Sequence, residues 1–144
     1  MLMQGLTLLP CPGKICYIWH IMKGERPLYW VGSSLENLRA FPDVVIDMIG
    51  YALHLAQQGS KHPDAKPMKG FTGGSVLEII ADFDRDTWRT VYTPGYKDAI
   101  YVLHAFQKKS KQGIKTPKQH ISMINRRLKL AQEHHEQIRQ KKQR

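Results

Sequence analysis

Apolar residues recur at spacings of three and four in the first half of the chain, and they predict one long amphipathic helix over residues 42–58. The positions that form this stripe are Val45, Ile49, Ala52, Leu53 and Ala56. Pro42 suits the first position of a helix, and Gly59 is a natural stop. Ser34 followed by Leu35-Glu36-Asn37-Leu38 indicates a capped short helix before it. We expect the two helices to form an antiparallel hairpin.

Three later segments have the composition of strands. Residues 75–82 are rich in Val, Leu and Ile, residues 87–93 are β-branched and aromatic, and residues 98–106 are the most apolar. The connections at residues 83–86 and 94–97 are short, which favours an antiparallel meander. Residues 29–32 add a possible edge strand, and residues 60–70 have the composition of a loop.

A final helix is predicted to open at Thr116-Pro117. Ile121, Ile124, Leu128 and Ala131 share one face, and the pattern places Arg126, Arg127 and Lys129 off that face. The tail from Arg139 has no apolar face, so we expect it to fray. The order of two helices, three strands and a final helix suits an α+β sandwich with the helices on one face of the sheet.

Charge changes this picture more than composition does. The 144-residue chain has a net charge of +10, yet its first 60 residues are neutral. No acidic residue lies between Asp98 and Glu133, a stretch that contains eight lysines and arginines. A run of positive charges that begins at the end of a strand and contains no acidic residue indicates a polyanionic partner. The chain is too apolar for global disorder, has too few cysteines for a secreted disulfide scaffold and lacks a membrane-length apolar run, so we expect a cytoplasmic protein.

Cations are the most prominent candidates for chemistry. Arg89 lies within a strand-forming segment, Lys66 and Lys69 precede the first strand of the meander, and Lys108 and Lys109 follow its last strand. A meander can bring these ends together around Arg89, whose planar fork suits a phosphate. Crowded ammonium groups lower one another's pKa, which would let a lysine exchange protons near neutral pH. Alternatively, each of these cations is an ordinary solvated surface residue. His104 is a candidate as well, with the alternative that it only packs in the sheet. We predict no metal site and no cofactor, because the histidine spacings and glycine motifs of such sites are missing from the sequence.

Five stretches, in order along the chain, make the sequence resemble a known family. They are W-V-G-S-S-L-E-N-L-R-A-F-P at 30–42, A-K-P-M-K-G-F at 65–71, V-L-E-I at 76–79, W-R-T-V-Y at 88–92 and A-I-Y-V-L-H-A-F-Q-K-K-S-K-Q-G-I-K-T-P at 99–117. The chain resembles the phage-derived branch of the RelE/HigB-like toxins of type II toxin–antitoxin systems. The resemblance implies an α+β, RelE-like fold, in which an N-terminal helical hairpin packs on a twisted antiparallel sheet and a C-terminal helix follows. We expect this toxin domain over residues 28–132, between a poorly ordered extension at 1–27 and a basic tail at 133–144.

The resemblance also implies an activity, a metal-independent endoribonuclease that cleaves mRNA on the ribosome and so inhibits translation. The ribose 2′-OH attacks the adjacent phosphate and leaves a 2′,3′-cyclic phosphate and a 5′-OH. The catalytic residues carried over are Arg89, Lys108, Lys109, Lys69, Tyr92 and His104. The residues expected to bind RNA are Lys66, Lys111, Lys115, Lys118, Arg126 and Arg127. The implied partners are mRNA, the ribosome and a cognate helix-turn-helix antitoxin.

Two other functions stay open at this point. A ParE-like toxin of the same fold would act on DNA gyrase, although the cations at positions 66, 69, 89, 108 and 109 argue against it. A non-catalytic nucleic-acid-binding module would use the basic helix alone.

Overall fold

The structure is a computed structural model that describes residues 7–8, 15–19, 25–108 and 116–143. The strands within these ranges are β1 (Thr7–Leu8), β2 (Ile15–Trp19), β3 (Leu28–Val31), β4 (Ala65–Pro67), β5 (Leu77–Phe83), β6 (Asp86–Tyr96) and β7 (Ala99–Lys108). The helices are α1 (Ser34–Arg39), α2 (Asp43–Gln57) and α3 (Lys118–Lys142), with a short 3₁₀ turn at Thr72–Gly74. None of the helices described is long and apolar enough to cross a membrane.

Five strands form a mixed sheet in the order β3-β7-β6-β5-β4, and β2 and β1 continue it beyond β3. The meander β5-β6-β7 is antiparallel, as predicted, but β3 runs parallel to β7. The expectation of a wholly antiparallel sheet is therefore wrong. The chain leaves β3, passes through both helices and three strands, and returns beside it, and so long a crossover is what parallel neighbours require. Because β2 pairs with its outer side, β3 is not an edge strand.

The sheet buries a different core on each face, so the expectation that all helices lie on one face is wrong. The α2 face, covered by α1 and α2, is apolar and includes Trp30, Leu38, Ile49, Leu53 and Ile79. The α3 face, covered by α3, contains a second apolar cluster that includes Val91, Tyr101, Leu103 and Ile124. The alternation of strand side chains thus gives two separate cores, and only the second adjoins the basic part of the chain.

A bulge in β7 adjusts which side chains reach α3. Val91 lies opposite His104 and Tyr92 lies opposite Val102, so Leu103 is the extra residue. Both Leu103 and His104 consequently lie on the α3 face. At the other end of β6, Asp84 and Arg85 both have positive φ, which is the backbone of a tight hairpin turn.

Most predicted elements are present with shifts of a few residues at their ends. The predicted helix at 42–58 is α2, and the predicted strands correspond to β5, β6 and β7. The predicted loop at 60–70 contains the short strand β4, which the sequence analysis missed, and β6 runs on through Pro94 and Gly95. The helix α3 continues to Lys142 and so includes part of the tail, whose expected fraying stays a prediction.

Two expectations about the N-terminal half stay predictions. Both helices of the expected hairpin exist, but α1 packs mainly on β7 and α2 mainly on β5, and their mutual packing is not established. The expected extension at 1–27 falls largely outside the described residues. Residues 15–19 within it form β2, and the domain limits are untested.

Candidate active site

A charged cluster lies on the α3 face where β5, β6 and β7 run side by side. The Arg89 guanidinium donates to the Glu78 carboxylate at 2.9 Å, and the two side chains are only 15% and 12% exposed. The strand register explains this contact, since Glu78 pairs with Val91 and Arg89 lies two residues further along the same face. Arg89 is thus held by a carboxylate that the sequence analysis did not include in the site.

Lys108 joins this cluster from the end of β7. Its register partner is Thr87, two residues from Arg89. Burial and, after it, the positive charge of Arg89 lower the pKa of Lys108, while Glu78 acts in the opposite direction. The Nζ of Lys108 and the Nε of Arg89 are buried and have no hydrogen-bond partner among the described residues. Two cationic groups therefore hold unused donors within one small region.

Apart from Arg127, which is described below, the other predicted cations are exposed or lie outside the described residues. Lys66 is exposed on β4 and pairs in register with Glu78, so it points to the same face as the cluster. Lys69 is exposed in the turn after β4, beyond this ladder. Lys118 and Arg126 are exposed on α3. The remaining three, Lys109, Lys111 and Lys115, lie outside the described residues.

Tyr92 does not join the cluster. Its side chain packs into the core of the α2 face, on the opposite side of the sheet from Arg89. Burial raises the pKa of Tyr92 to about 12, with a smaller opposing effect of Arg26. A catalytic role for Tyr92 beside Arg89 is therefore wrong, because strand alternation separates residues 89 and 92.

Arg127 is buried rather than presented to RNA. Its guanidinium donates to the Leu103 carbonyl at 2.9 Å and to the Ser33 hydroxyl at 2.8 Å, and only 6% of the residue is exposed. It lies three residues after Ile124 and four before Ala131, which puts it on the buried face of α3. The prediction that Arg127 lies off this face is therefore wrong. Its predicted role in RNA binding is wrong as well, because the guanidinium is buried and already hydrogen-bonded.

His104 is also buried, at 8% exposure. Its Nε2 lies 2.8 Å from Nδ1 of His120, and its Nδ1 lies 3.3 Å from Arg127. Burial, then the charges of Arg127 and His120, lower its pKa to about 4, so His104 is neutral at pH 7. It cannot touch a substrate directly, and His120, which the sequence analysis did not select, lies between it and the surface.

No metal site is apparent within the ranges described, where no three histidine, cysteine or carboxylate side chains group together. A cleft of about 570 Å³ lies away from the charged cluster and is lined in part by Arg26, Gln57 and Tyr92. The Arg26 guanidinium is already engaged by the carbonyls of Ala56, Pro94 and Tyr96. This cleft therefore offers less free charge than the cluster around Arg89.

Comparison with protein families matches residues 36–129, which are 94 of the 144 residues, to the family described as "Phage derived protein Gp49-like (DUF891)". The chain belongs to this family. The Gp49-like family is associated with toxin–antitoxin systems, which makes the protein toxin-like and suggests an antitoxin partner. Comparisons with curated proteins and with solved structures give no match.

The Gp49-like region contains two site residues that sequence reasoning missed. Glu78 lies in the stretch V-L-E-I and shares the face of Arg89, so pairing the two predicted strands in register would have found it. His120 could not have been found in this way, because its position depends on how α3 docks on β7.

Proposed function

We propose that this Gp49-like protein is the toxin of a type II toxin–antitoxin system and acts as a metal-independent endoribonuclease on mRNA, on the ribosome. The observation that carries the proposal is the cluster of Arg89, Lys108 and Glu78. It combines two cations that have free donors with one carboxylate, on the face of the sheet next to the basic C-terminal part. Such a set suits a reaction in which negative charge builds up on a phosphate.

Each group has a part in the cleavage. The 2′-oxygen attacks the adjacent phosphorus while the bond from phosphorus to the 5′-oxygen breaks, which leaves a 2′,3′-cyclic phosphate and a 5′-OH. In this proposal Glu78 accepts the 2′-OH proton, and Arg89 stabilises the phosphorane charge. The lowered pKa of Lys108 suits it to donate a proton to the departing 5′-oxygen.

RNA is bound by cations around this cluster. Lys66 lies on the same face, and Lys118 and Arg126 are exposed on α3. Lys69, Lys109, Lys111 and Lys115 are proposed to bind RNA as well. Binding that depends on so many cations weakens steeply as salt rises.

The antitoxin partner is proposed to be a helix-turn-helix protein that brings an acidic segment to the basic surface. Opposite charges would speed association, while apolar contacts would supply most of the affinity.

The decisive test is the chemistry of the product ends. Purified protein is incubated with mRNA, with and without ribosomes that keep their magnesium, and the new ends are analysed. We expect a 5′-OH and a cyclic phosphate. Intact RNA with tight binding would instead support a nucleic-acid-binding module, and inhibition of gyrase without RNA cleavage would support a ParE-like toxin.

Arg89→Ala then tests the site. Loss of one charge-stabilising group should reduce the rate about 10²–10³-fold while the protein stays folded. Arg39→Ala, an exposed arginine on α1, removes the same charge elsewhere and should leave the rate unchanged. A folded Arg89→Ala protein with full activity would overturn the assignment.

A further inference from the structure

Three side chains form a hydrogen-bonded relay that runs from the core of the α3 face outward to His120. The relay begins at Arg127, which lies 3.3 Å from His104 Nδ1, and continues from His104 Nε2 to His120 Nδ1 at 2.8 Å. Arg127 is anchored by the Leu103 carbonyl and Ser33, so the start of the relay is fixed. His104 is buried, while His120 is only half-buried near the start of α3.

The relay determines where the protons lie. A guanidinium can only donate, so His104 Nδ1 must accept and the proton of His104 must be on Nε2. That proton is donated to His120 Nδ1, which places the proton of neutral His120 on its Nε2. No described residue accepts from this Nε2–H. The relay thus presents a neutral donor of fixed orientation at its outer end.

The position of that donor is set by a ring stack. The His120 ring lies parallel to the Phe106 ring, with centroids 4.1 Å apart and an angle of 15°. Phe106 is the register partner of Arg89, and Lys108 lies two residues further along β7 on the same face. Directly paired residues of neighbouring strands lie about 5 Å apart. His120 therefore stands over the strand positions next to the two cations.

We propose that His120 is a further substrate-contacting residue, whose Nε2–H donates a hydrogen bond to a phosphate oxygen of the RNA bound at Arg89 and Lys108. His104 and Arg127 are positioning residues that hold His120 in this tautomer. The proposal rests on the proposed function for its substrate, but the relay itself is a property of the free protein. His120 acts here as a fixed donor and not as the group that takes up or releases the proton of the reaction.

The first experiment determines the histidine tautomers of the relay and needs no activity assay. Long-range ¹H–¹⁵N spectra of the full chain distinguish the two histidine tautomers at pH 7. We expect both His104 and His120 to carry the proton on Nε2. A proton on Nδ1 of His120 would overturn the proposal, whatever the protein does to RNA.

The second experiment uses two matched variants and a 2′-O-methyl oligoribonucleotide, which cannot be cleaved. His120→Gln keeps a donor near the position of Nε2, whereas His120→Phe keeps the stack on Phe106 and removes the donor. A lost hydrogen bond to a charged group should raise the Kd of His120→Phe about 10-fold or more, while His120→Gln stays close to wild type. Equal affinity of all three proteins would overturn the proposal.

Cleavage assays then separate this inference from the proposed function. If the wild type cleaves RNA, His120→Phe should be slower by about the same factor and His120→Gln should be largely restored. If the wild type cleaves nothing, the proposed function fails, and the binding difference between the two variants still decides the role of His120. Melting temperatures of both variants are measured so that a change in folding is recognised.

Discussion

The two faces of the sheet are built from different chemistry. The α2 face is closed mainly by apolar side chains, and the buried Ser34 hydroxyl donates to the Val102 carbonyl at 3.1 Å. The α3 face attaches its helix through titratable groups as well. His104 meets His120, the Tyr101 hydroxyl lies 2.8 Å from His134, and His135 lies 2.6 Å from the Asp98 carboxylate. Acid should therefore act on the α3 face more than on the α2 face.

The largest expected difference is the response to acid. Burial holds the pKa of His104 at about 4, below its ordinary value of 6.5. As the pH falls from 6.5 to 4, His104 becomes protonated in the unfolded chain but stays neutral in the folded protein. The free energy of unfolding therefore decreases. The full effect is about 3 kcal/mol for His104, and the lowered pKa values of His120 and His134 act in the same direction.

Urea unfolding between pH 7.5 and 4 measures this effect. Leu53→Ala on the α2 face should lower stability by about 2–5 kcal/mol at every pH without changing the slope. His104→Phe should flatten the slope. If that variant does not fold, NMR titration of His104 in the wild type gives its pKa directly. A wild-type pKa near 6.5 would remove the difference between the faces.

A smaller difference is expected between two adjacent arginines of α3. Arg127→Met keeps the aliphatic stem but leaves the Leu103 carbonyl, His104 and Ser33 without their donor, which should cost about 2 kcal/mol of unfolding free energy. Arg126→Met removes the same charge from an exposed position and should change stability by less than about 0.5 kcal/mol. Equal losses in urea unfolding would contradict the buried role of Arg127.

The smallest effect concerns the turn that receives Arg127. Gly32 has φ +59°, and a Cβ there would lie 2.8 Å from Arg127 Nε. Gly70 has φ +93° with nothing within 4 Å of its Cβ position. Both alanine variants bear a backbone strain of about 1 kcal/mol, but only Gly32→Ala also displaces the guanidinium, so it should lose about 1 kcal/mol more. This excess should vanish in an Arg127→Met background.

Local pattern was enough to predict much of this molecule. The stripe at spacings of three and four predicted α2, and runs of β-branched and aromatic residues predicted β5, β6 and β7, because both signals come from side chains that must face one core. The alternation of side chains along a strand separates Arg89 from Tyr92, as β6 shows. Tyr92 entered the candidate site only through the resemblance, and alternation was the better guide. The short strand β4 was missed because three residues, one of them proline, carry no strand period.

The tertiary structure alone decided what each charge does. Helical spacing places Arg127 on the face of Ile124 and Ala131, but a pattern that counts only apolar residues passes over an arginine. Only the tertiary structure shows the carbonyl, the hydroxyl and the imidazole that Arg127 contacts across the interface. The same holds for Glu78, whose partner Arg89 comes from another strand, and for His120, which reaches Phe106 only once α3 has docked. The sequence by itself determined the elements and the surplus of positive charge. Which cations were buried as supports and which kept free donors depended on contacts between residues far apart in the chain, and periodicity carries no information about those.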